Sequence, residues 1–220
     1  MEKERGNILA ELKEQILFLK DIGFDFMFAT PPRSEDRFLE LREKILSCER
    51  CPLSQGRRQA VPGEGNERAS LMFVGEAPGR DEDIQGRPFV GRAGQLLTKI
   101  IEAMGFERDE VYITNVCKCR PPENRTPHRQ EIDECASFLL EQIEVIKPRV
   151  IVALGRVAAD FFIPGGLSLS RLRGNFSQFR GIQVMPTFHP SYLVRNEQNR
   201  VLKKMVWEDM KKVMSFLGKK

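Results

Sequence analysis

The cysteines of this chain have the residue type and the spacing of metal ligands. Cys48 and Cys51 form a C-x-x-C pair, and Cys119 and Cys135 follow far along the chain, separated by fifteen residues. Four thiolates suit either zinc or an iron–sulfur cluster. Zinc ribbons favour a second close-spaced pair, which this sequence lacks. The spacing therefore favours a [4Fe–4S] cluster over zinc.

A fifth cysteine leaves the third ligand position open. Cys117 and Cys119 alternate along an extended chain, so only one of them should face a cluster. Buried free cysteines are common, and that interpretation suits Cys117 but not the close C-x-x-C pair. Thioredoxin-type redox sites share the C-x-x-C spacing, but here the pair follows a predicted helix and lacks the preceding strand.

A second group of chemistry-bearing residues lies within residues 71–97. An apolar strand over residues 71–74 ends at Gly75, and a loop rich in glycine and proline leads to a helix that begins near Gly91. The loop contains the aromatic residue Phe89 and several acidic residues, among them Glu76, Glu82 and Asp83. Ligands of open α/β sheets bind at such strand ends. The loop lacks the glycine patterns of dinucleotide-binding and P-loop proteins.

The elements that must position these residues are strands alternating with helices. Apolar strands are predicted over residues 71–74, 111–116, 149–154 and 182–187. Amphipathic helices are predicted over residues 8–22, 36–46, 91–105, 129–146 and 197–217, with a short helix that ends at Phe162. Residues 52–68 and 163–181 are predicted loops. This order predicts an α/β fold, a three-layer α/β/α arrangement with a central, mainly parallel four-stranded sheet and a peripheral loop region that carries the cluster cysteines.

The domain organisation and the composition indicate the broad class of protein. Residues 1–35 are predicted to form an N-terminal helical extension and linker that packs on the main domain or docks a partner protein, and residues 36–220 to form that domain. The formal net charge of +4 permits nucleic-acid binding. No apolar run reaches membrane-spanning length, and the charged N-terminus lacks a signal-peptide core. We expect a cytoplasmic, monomeric protein with no membrane partner.

Three motifs occur in a fixed order along the chain. They are Gly75-Glu-Ala-Pro-Gly with Gly86-Arg-Pro-Phe-Val-Gly, then Thr114-Asn-Val-Cys-Lys-Cys-Arg-Pro-Pro, then His189-Pro-Ser-Tyr-Leu-Val-Arg. Together with the four spaced cysteines, they make residues 37–217 closely resemble the family 4 uracil-DNA glycosylases, the iron–sulfur group of the uracil-DNA glycosylase superfamily. The resemblance implies a DNA repair enzyme that flips uracil out of DNA and hydrolyses its N-glycosidic bond, leaving an abasic site.

The resemblance also implies roles for individual residues. Phe89 stacks on the flipped uracil, the amide of Asn115 matches uracil O4 and N3, and His189 donates to uracil O2. Glu76 favours the oxocarbenium ion or orients water, with Glu82 as a second candidate for that role. Ala77 contacts the base through its backbone N–H and stands where the best-known relatives carry an aspartate, which excludes direct base catalysis at that position. The implied cluster ligands are Cys48, Cys51, Cys119 and Cys135.

The same resemblance implies contacts to uracil-containing DNA. Leu193 fills the gap left by the flipped base, and Ser191 holds a phosphate. Arginines provide further backbone contacts: Arg171, Arg173 and Arg195, with Arg120 and Arg125 presented by the loops that the cluster staples. Two rival functions remain open here. One is a non-catalytic iron–sulfur or zinc DNA-binding module of the same fold. The other, a zinc hydrolase, is disfavoured because neither histidine belongs to a His-x-x-x-His pair.

Overall fold

The structure, a computed structural model, describes residues 14, 15, 17–19, 21 and 34–219. Contacts divide the chain into two units, Met1–Arg33 and Ser34–Lys220. The described positions of the first unit are helical, as the predicted helix over residues 8–22 requires. The rest of that helix lies outside the described residues, and the predicted division into residues 1–35 and 36–220 stays a prediction.

The second unit contains one six-stranded sheet. Its strands are β1 (Glu64–Gly65), β2 (Leu71–Gly75), β3 (Tyr112–Asn115), β4 (Val150–Leu154), β5 (Ser177–Phe179) and β6 (Ile182–Thr187). The spatial order is β1-β3-β2-β4-β6-β5. The four central strands are parallel, and β1 and β5 pair antiparallel at the two edges. The mainly parallel sheet is confirmed, but the predicted count of four strands is wrong. The two missed strands have two and three residues, too few to produce a sequence periodicity.

Nine α-helices cover the described part of this unit. They are α1 (Ser34–Leu46), α2 (Leu53–Gly56), α3 (Arg80–Gln85), α4 (Arg92–Ala103), α5 (Arg129–Ile146), α6 (Arg156–Phe162), α7 (Leu169–Leu172), α8 (Pro190–Arg195) and α9 (Arg200–Leu217), with a 3₁₀ turn at Pro122–Asn124. The long helices match the predictions. The predicted loops contain the short elements α2, α3, α7, β1 and β5, which are held by tertiary contacts rather than by local pattern.

The sheet is buried on both faces, which confirms the three-layer α/β/α architecture. Leu71 and Phe73 of β2 lie in one core cluster with residues of α4 and α9. Met72 and Val74 of the same strand lie in another, with residues of α1, α5 and α6. Successive strand residues point to opposite faces, so a strand that is apolar at every position must be covered on both sides.

A third apolar cluster surrounds the cysteines and contains residues of α1, α2, α5 and the segment after β3. Its buried members include Leu41, Ile45, Leu53 and Phe138, beside three of the cysteines. The cysteine region is thus part of the packed domain. Among the described residues, no helix combines the length and the apolar composition that crossing a lipid bilayer requires.

Candidate active site

A cavity of about 610 Å³ lies at the carboxyl ends of the four parallel strands. Glu76 follows β2, Asn115 ends β3, Gly155 follows β4 and His189 follows β6, and all of them line the cavity. Carboxyl ends of parallel strands meet at one edge of a sheet, which is why these positions converge. All five residues predicted to bind uracil are lining residues: Glu76, Ala77, Phe89, Asn115 and His189.

Asn115 lines this cavity with a side chain whose amide oxygen is buried. The residue is 2% exposed, and its Oδ1 has no hydrogen-bond partner within the described residues. A Cβ on Gly75 would lie 2.4 Å from that oxygen and 2.5 Å from the Phe89 ring, so glycine is required for this close approach. Buried polar atoms are normally paired. The unpaired oxygen is therefore an acceptor available to a ligand.

A buried lysine fixes the end of the strand that carries Asn115. The Nζ of Lys118 lies 2.7 Å from each of three acceptors: Thr114 Oγ1, the Asn115 carbonyl oxygen and Gln142 Oε1. Burial lowers the pKa of Lys118 to about 8, which leaves the amine mainly protonated and donating at neutral pH. Sequence reasoning missed Lys118, because a lysine between two cysteines gives no sign of being buried.

Phe89 closes one wall of the cavity in an unusual backbone conformation. Its φ angle is 52°, in the left-handed region that non-glycine residues seldom adopt. Its ring centroid lies 5.6 Å from that of His189, with the planes tilted by 31°. A Cβ on Gly94 would lie 1.9 Å from the Phe89 carbonyl, so this glycine lets α4 pack directly on it. Such conformations persist where the surroundings determine them, commonly at functional sites.

Glu82 holds the loop that carries Phe89. One carboxylate oxygen accepts hydrogen bonds from the backbone N–H groups of Val90 and Gly91, at 2.9 and 3.0 Å. The other accepts from the backbone N–H of Gly79 at 3.1 Å. Both oxygens are thus engaged in closing the loop. This geometry gives Glu82 a positioning role and leaves Glu76 as the better placed of the two carboxylates considered for catalysis.

Burial shifts the pKa values of Glu76 and His189 in opposite directions. Burial raises the pKa of Glu76, and a hydrogen bond with Thr126 partly opposes the shift. Burial also lowers the pKa of His189 to about 4, and the nearby charge of Arg195 lowers it further. The His189 ring is therefore neutral at pH 7. Its Nδ1 accepts the backbone N–H of Ser191 at 3.1 Å, so the ring proton is on Nε2.

Behind His189, a buried ion pair anchors the end of β6. The Thr187 hydroxyl donates to Asp209 at 2.6 Å, and Arg173 donates to the same carboxylate, with Nε at 3.1 Å. The side chain of Arg173 is only 13% exposed. The structure therefore does not bring Arg173 to the DNA-facing surface for which it was predicted. Arg171 is exposed but does not line the cavity.

The predicted intercalating leucine is buried in this structure. Leu193 is 2% exposed and belongs to the core cluster beneath α4 and α9. Insertion between bases would require Leu193 to leave this cluster, and its intercalating role stays a prediction. The neighbouring Tyr192 is 39% exposed, lines the cavity and packs its ring 5.4 Å from that of Phe188. Ser191 and Arg195, also predicted to contact DNA, line the cavity as well.

Four cysteines line a second, small cavity: Cys48, Cys51, Cys119 and Cys135. Cys117 does not line it; its sulfur lies 3.9 Å from the Glu131 carbonyl oxygen. Two N–H groups point at the lining sulfurs. Arg57 Nη1 donates to Cys119 at 2.9 Å, and the backbone N–H of Lys118 donates to Cys135 at 3.2 Å. A hydrogen bond from the Cys117 thiol lowers the pKa of Cys135 to about 6. The contact from Arg57 favours the Cys119 thiolate, but burial outweighs it and raises the pKa of Cys119 to about 11. Burial also raises the pKa of Cys51, so Cys135 is the lining cysteine whose thiolate these contacts favour.

Comparison with known proteins identifies the family. The sequence pattern of the uracil DNA glycosylase superfamily matches residues 62–211. A type-4 uracil-DNA glycosylase of Thermotoga maritima is 51% identical, over 80% of this chain and 93% of that protein. One of Archaeoglobus fulgidus is 42% identical, over 82% and 94% respectively. A type-5 uracil-DNA glycosylase of Pyrobaculum aerophilum is 32% identical, over 68% and 80%. The family predicted from the motifs is thereby confirmed: this chain belongs to the uracil DNA glycosylase superfamily, among its type-4 members.

Proposed function

We propose that this protein excises uracil from DNA by hydrolysing the N-glycosidic bond, leaving an abasic site. The observation that carries the proposal is the buried, unpaired amide oxygen of Asn115, which shares one cavity with the Phe89 ring and a neutral His189. A base must leave the duplex to reach such a cavity. Family membership supports the same activity.

Base selection follows from the chemistry of one amide. The Asn115 oxygen accepts the N3–H of uracil, and the amide nitrogen donates to O4. Cytosine presents an acceptor at N3 and a donor at N4, so both contacts would be lost and buried groups left unpaired. Phe89 is placed to stack on the ring while these contacts form.

Bond cleavage leaves the bonding electrons on uracil and positive charge on the sugar. The Nε2–H of His189 donates to uracil O2 as negative charge develops there, without transferring its proton. The Glu76 carboxylate, when ionised, stabilises the oxocarbenium ion and orients the water whose oxygen bonds to C1′. The proton that this water loses passes through solvent and neutralises the uracil anion. Ala77 offers only its backbone N–H, so stabilisation of the leaving uracil supplies most of the rate enhancement.

DNA contacts surround the mouth of the cavity. Ser191 and Arg195 are lining residues suited to phosphate oxygens. Tyr192, exposed on the rim, takes the role predicted for Leu193 and occupies the gap left by the flipped base. Arg125 lines the cavity while bonded to Glu131 at 2.7 Å, so only part of its guanidinium is available to DNA.

We propose that a [4Fe–4S] cluster is held by Cys48, Cys51, Cys119 and Cys135, the four cysteines that line the cysteine cavity. Within the described residues, no three metal-ligating side chains already stand close enough together to hold a metal ion. The four cysteines line one space with N–H donors directed at two of the sulfurs, as iron–sulfur sites use to stabilise bound sulfur. When bound, the cluster supplies a structural crosslink among α1, α5 and the segment after β3. That segment includes Arg120 and leads to the cavity wall at Asn124. The rival, a non-catalytic binding module, leaves the grouping of Glu76, Asn115 and His189 unexplained.

Removing either polar contact to the base should abolish most of the activity. Asn115→Asp and His189→Ala should each lower single-turnover excision of uracil by about a hundred- to a thousandfold, the range for lost transition-state donors. Binding to uracil-containing duplex should change little. Asn175→Asp and His128→Ala, both outside the cavity, are the matched controls. Activity equal to wild type in either site variant would remove that residue from the proposed mechanism.

At acidic pH, activity should fall as the Glu76 carboxylate becomes protonated. Its carboxylate must be charged, and burial raises its pKa, so activity should decline below a pKa that exceeds the ordinary glutamate value. His189, with a pKa of about 4, stays neutral over that range. Glu76→Gln should lower the plateau and flatten the acid limb of the pH–rate profile, whereas Glu102→Gln should not. An unaltered limb in Glu76→Gln would assign the ionisation to another group.

Substitution of Tyr192 should lower activity, whereas substitution of Leu193 should lower stability. Leu193→Ala should lower the free energy of unfolding by about 2–5 kcal/mol, as expected for a buried leucine. Tyr192→Ala should keep the melting temperature and lower excision from duplex DNA about tenfold, with a smaller effect on single strands, where no gap must be filled. Tyr192→Phe should retain activity. Equal losses on duplex and single-stranded DNA would contradict the gap-filling role.

The two neighbouring cysteines should differ in iron retention. Cys119→Ser should lose iron and the absorption near about 400 nm of thiolate-ligated iron, after anaerobic purification. Cys117→Ser should retain both, because Cys117 lies outside the cysteine cavity. The reverse pattern, with iron lost only from Cys117→Ser, would reassign the third ligand.

A further inference from the structure

A second recess lies on the other side of α8 from the active-site cavity. It has a volume of about 160 Å³ and is formed by α4, α8 and the start of α9. Its lining residues are Arg92, Gln95, Leu96, Lys99, Leu193, Val194, Glu197 and Lys203. The helix α8 separates the two spaces, because Ser191, Tyr192 and Arg195 line the cavity while Leu193 and Val194 line the recess.

The recess is basic, and its cations are available. Three of the eight lining residues are positively charged and one is negatively charged. The side chains of Arg92, Lys99 and Lys203 are exposed, and no ion pair or side-chain hydrogen bond engages them within residues 34–219. By contrast, Arg108 and Arg173 bind carboxylates. Unpaired cations lining a concave surface raise the local potential that attracts phosphate.

The sequence spacing places two of these cations on one helix face. Arg92 and Lys99 are seven residues apart on α4, which is close to two helical turns. Lys203 faces them from α9. Cations from two helices thus border one groove, as backbone-tracking surfaces of nucleic-acid-binding proteins do.

We propose that this basic recess binds the backbone phosphates of the DNA strand that continues past the flipped nucleotide. The inference rests on the proposed function, since it takes the cavity as the uracil site. A strand leaving the cavity must cross α8, whose diameter with side chains is about 10–12 Å. One strand carries a phosphate per about 3.4 Å of duplex axis. The recess therefore engages phosphates about three nucleotides from the uracil, on one side of it.

The first test removes two charges and keeps their side-chain stems. The double variant Lys99→Gln/Lys203→Gln is compared with wild type by the dependence of kcat/KM on salt, using a duplex with one central uracil. Each lost phosphate contact lowers the slope of log affinity against log salt by about 0.9. Between about 50 and about 200 mM salt, the variant should therefore lose about tenfold less activity than wild type.

A matched control variant and a melting curve distinguish a phosphate contact in the recess from a general effect of the protein's charge. Lys204→Gln removes an exposed charge from the same helix, one residue away and outside the recess, and should keep more of the wild-type slope. All three side chains are exposed, so the melting temperatures should be equal. Equal slopes for wild type and the double variant would overturn the proposal. The proposal would also be overturned if Lys204→Gln changed the slope by as much as each of the two charges removed in the double variant.

The second test locates the phosphates along the strand. Duplexes carry the uracil at one to ten nucleotides from the 5′ end or from the 3′ end, and the measured quantity is the ratio of wild-type to double-variant kcat/KM. In one of the two series, the ratio should fall to one when fewer than about three nucleotides remain beyond the uracil. In the other series it should not fall. A ratio that is independent of length in both series would refute the assignment. Failure of the proposed function is separate, because wild type itself would then release no uracil.

Discussion

The geometry of the site depends first on the three hydrogen bonds that hold the ammonium group of Lys118. A fully buried charge is costly to desolvate, and it is tolerated here because Thr114, Gln142 and the Asn115 carbonyl surround it at 2.7 Å. The bonds tie the last residues of β3 to α5 and so fix the Asn115 amide in the cavity. Lys118 also belongs to the segment that holds Cys119. The cysteine region and the residue proposed to read the base are therefore connected through one hydrogen-bonded segment.

The opposite wall depends on close backbone packing. Gly75 and Gly94 have no Cβ atoms where Cβ atoms would overlap Asn115 and Phe89. The strained backbone of Phe89 is held by α4 on one side and by the loop that Glu82 closes on the other. An aromatic ring proposed to stack on a planar base benefits from this constraint, because its orientation is settled before the ligand arrives.

The sequence predicted those features whose signals are local. The four parallel strands are apolar at successive positions, and the motif residues Asn115 and His189 end or follow two of them, so their convergence follows from sheet topology. The edge strands and α3 were missed because they are too short for periodicity. The burial of Leu193 could not be predicted, because the motif fixes spacing but not direction. On the helix α8, adjacent residues point about 100° apart, so Tyr192 faces the cavity when Leu193 faces the core.

A buried charge at the end of β6 has the same effect as Lys118 has at the end of β3. Asp209 is fully buried, and it receives the Thr187 hydroxyl and the Arg173 guanidinium just before the chain reaches His189. A buried ion pair adds little net stability, but breaking it leaves an uncompensated charge. Such pairs therefore act against alternative arrangements of the strand end more than they add to stability. In this domain a buried charge is hydrogen-bonded to the strand end beside each of the two groups proposed to hydrogen-bond the base, which links the cost of burying charge to the positioning of the site.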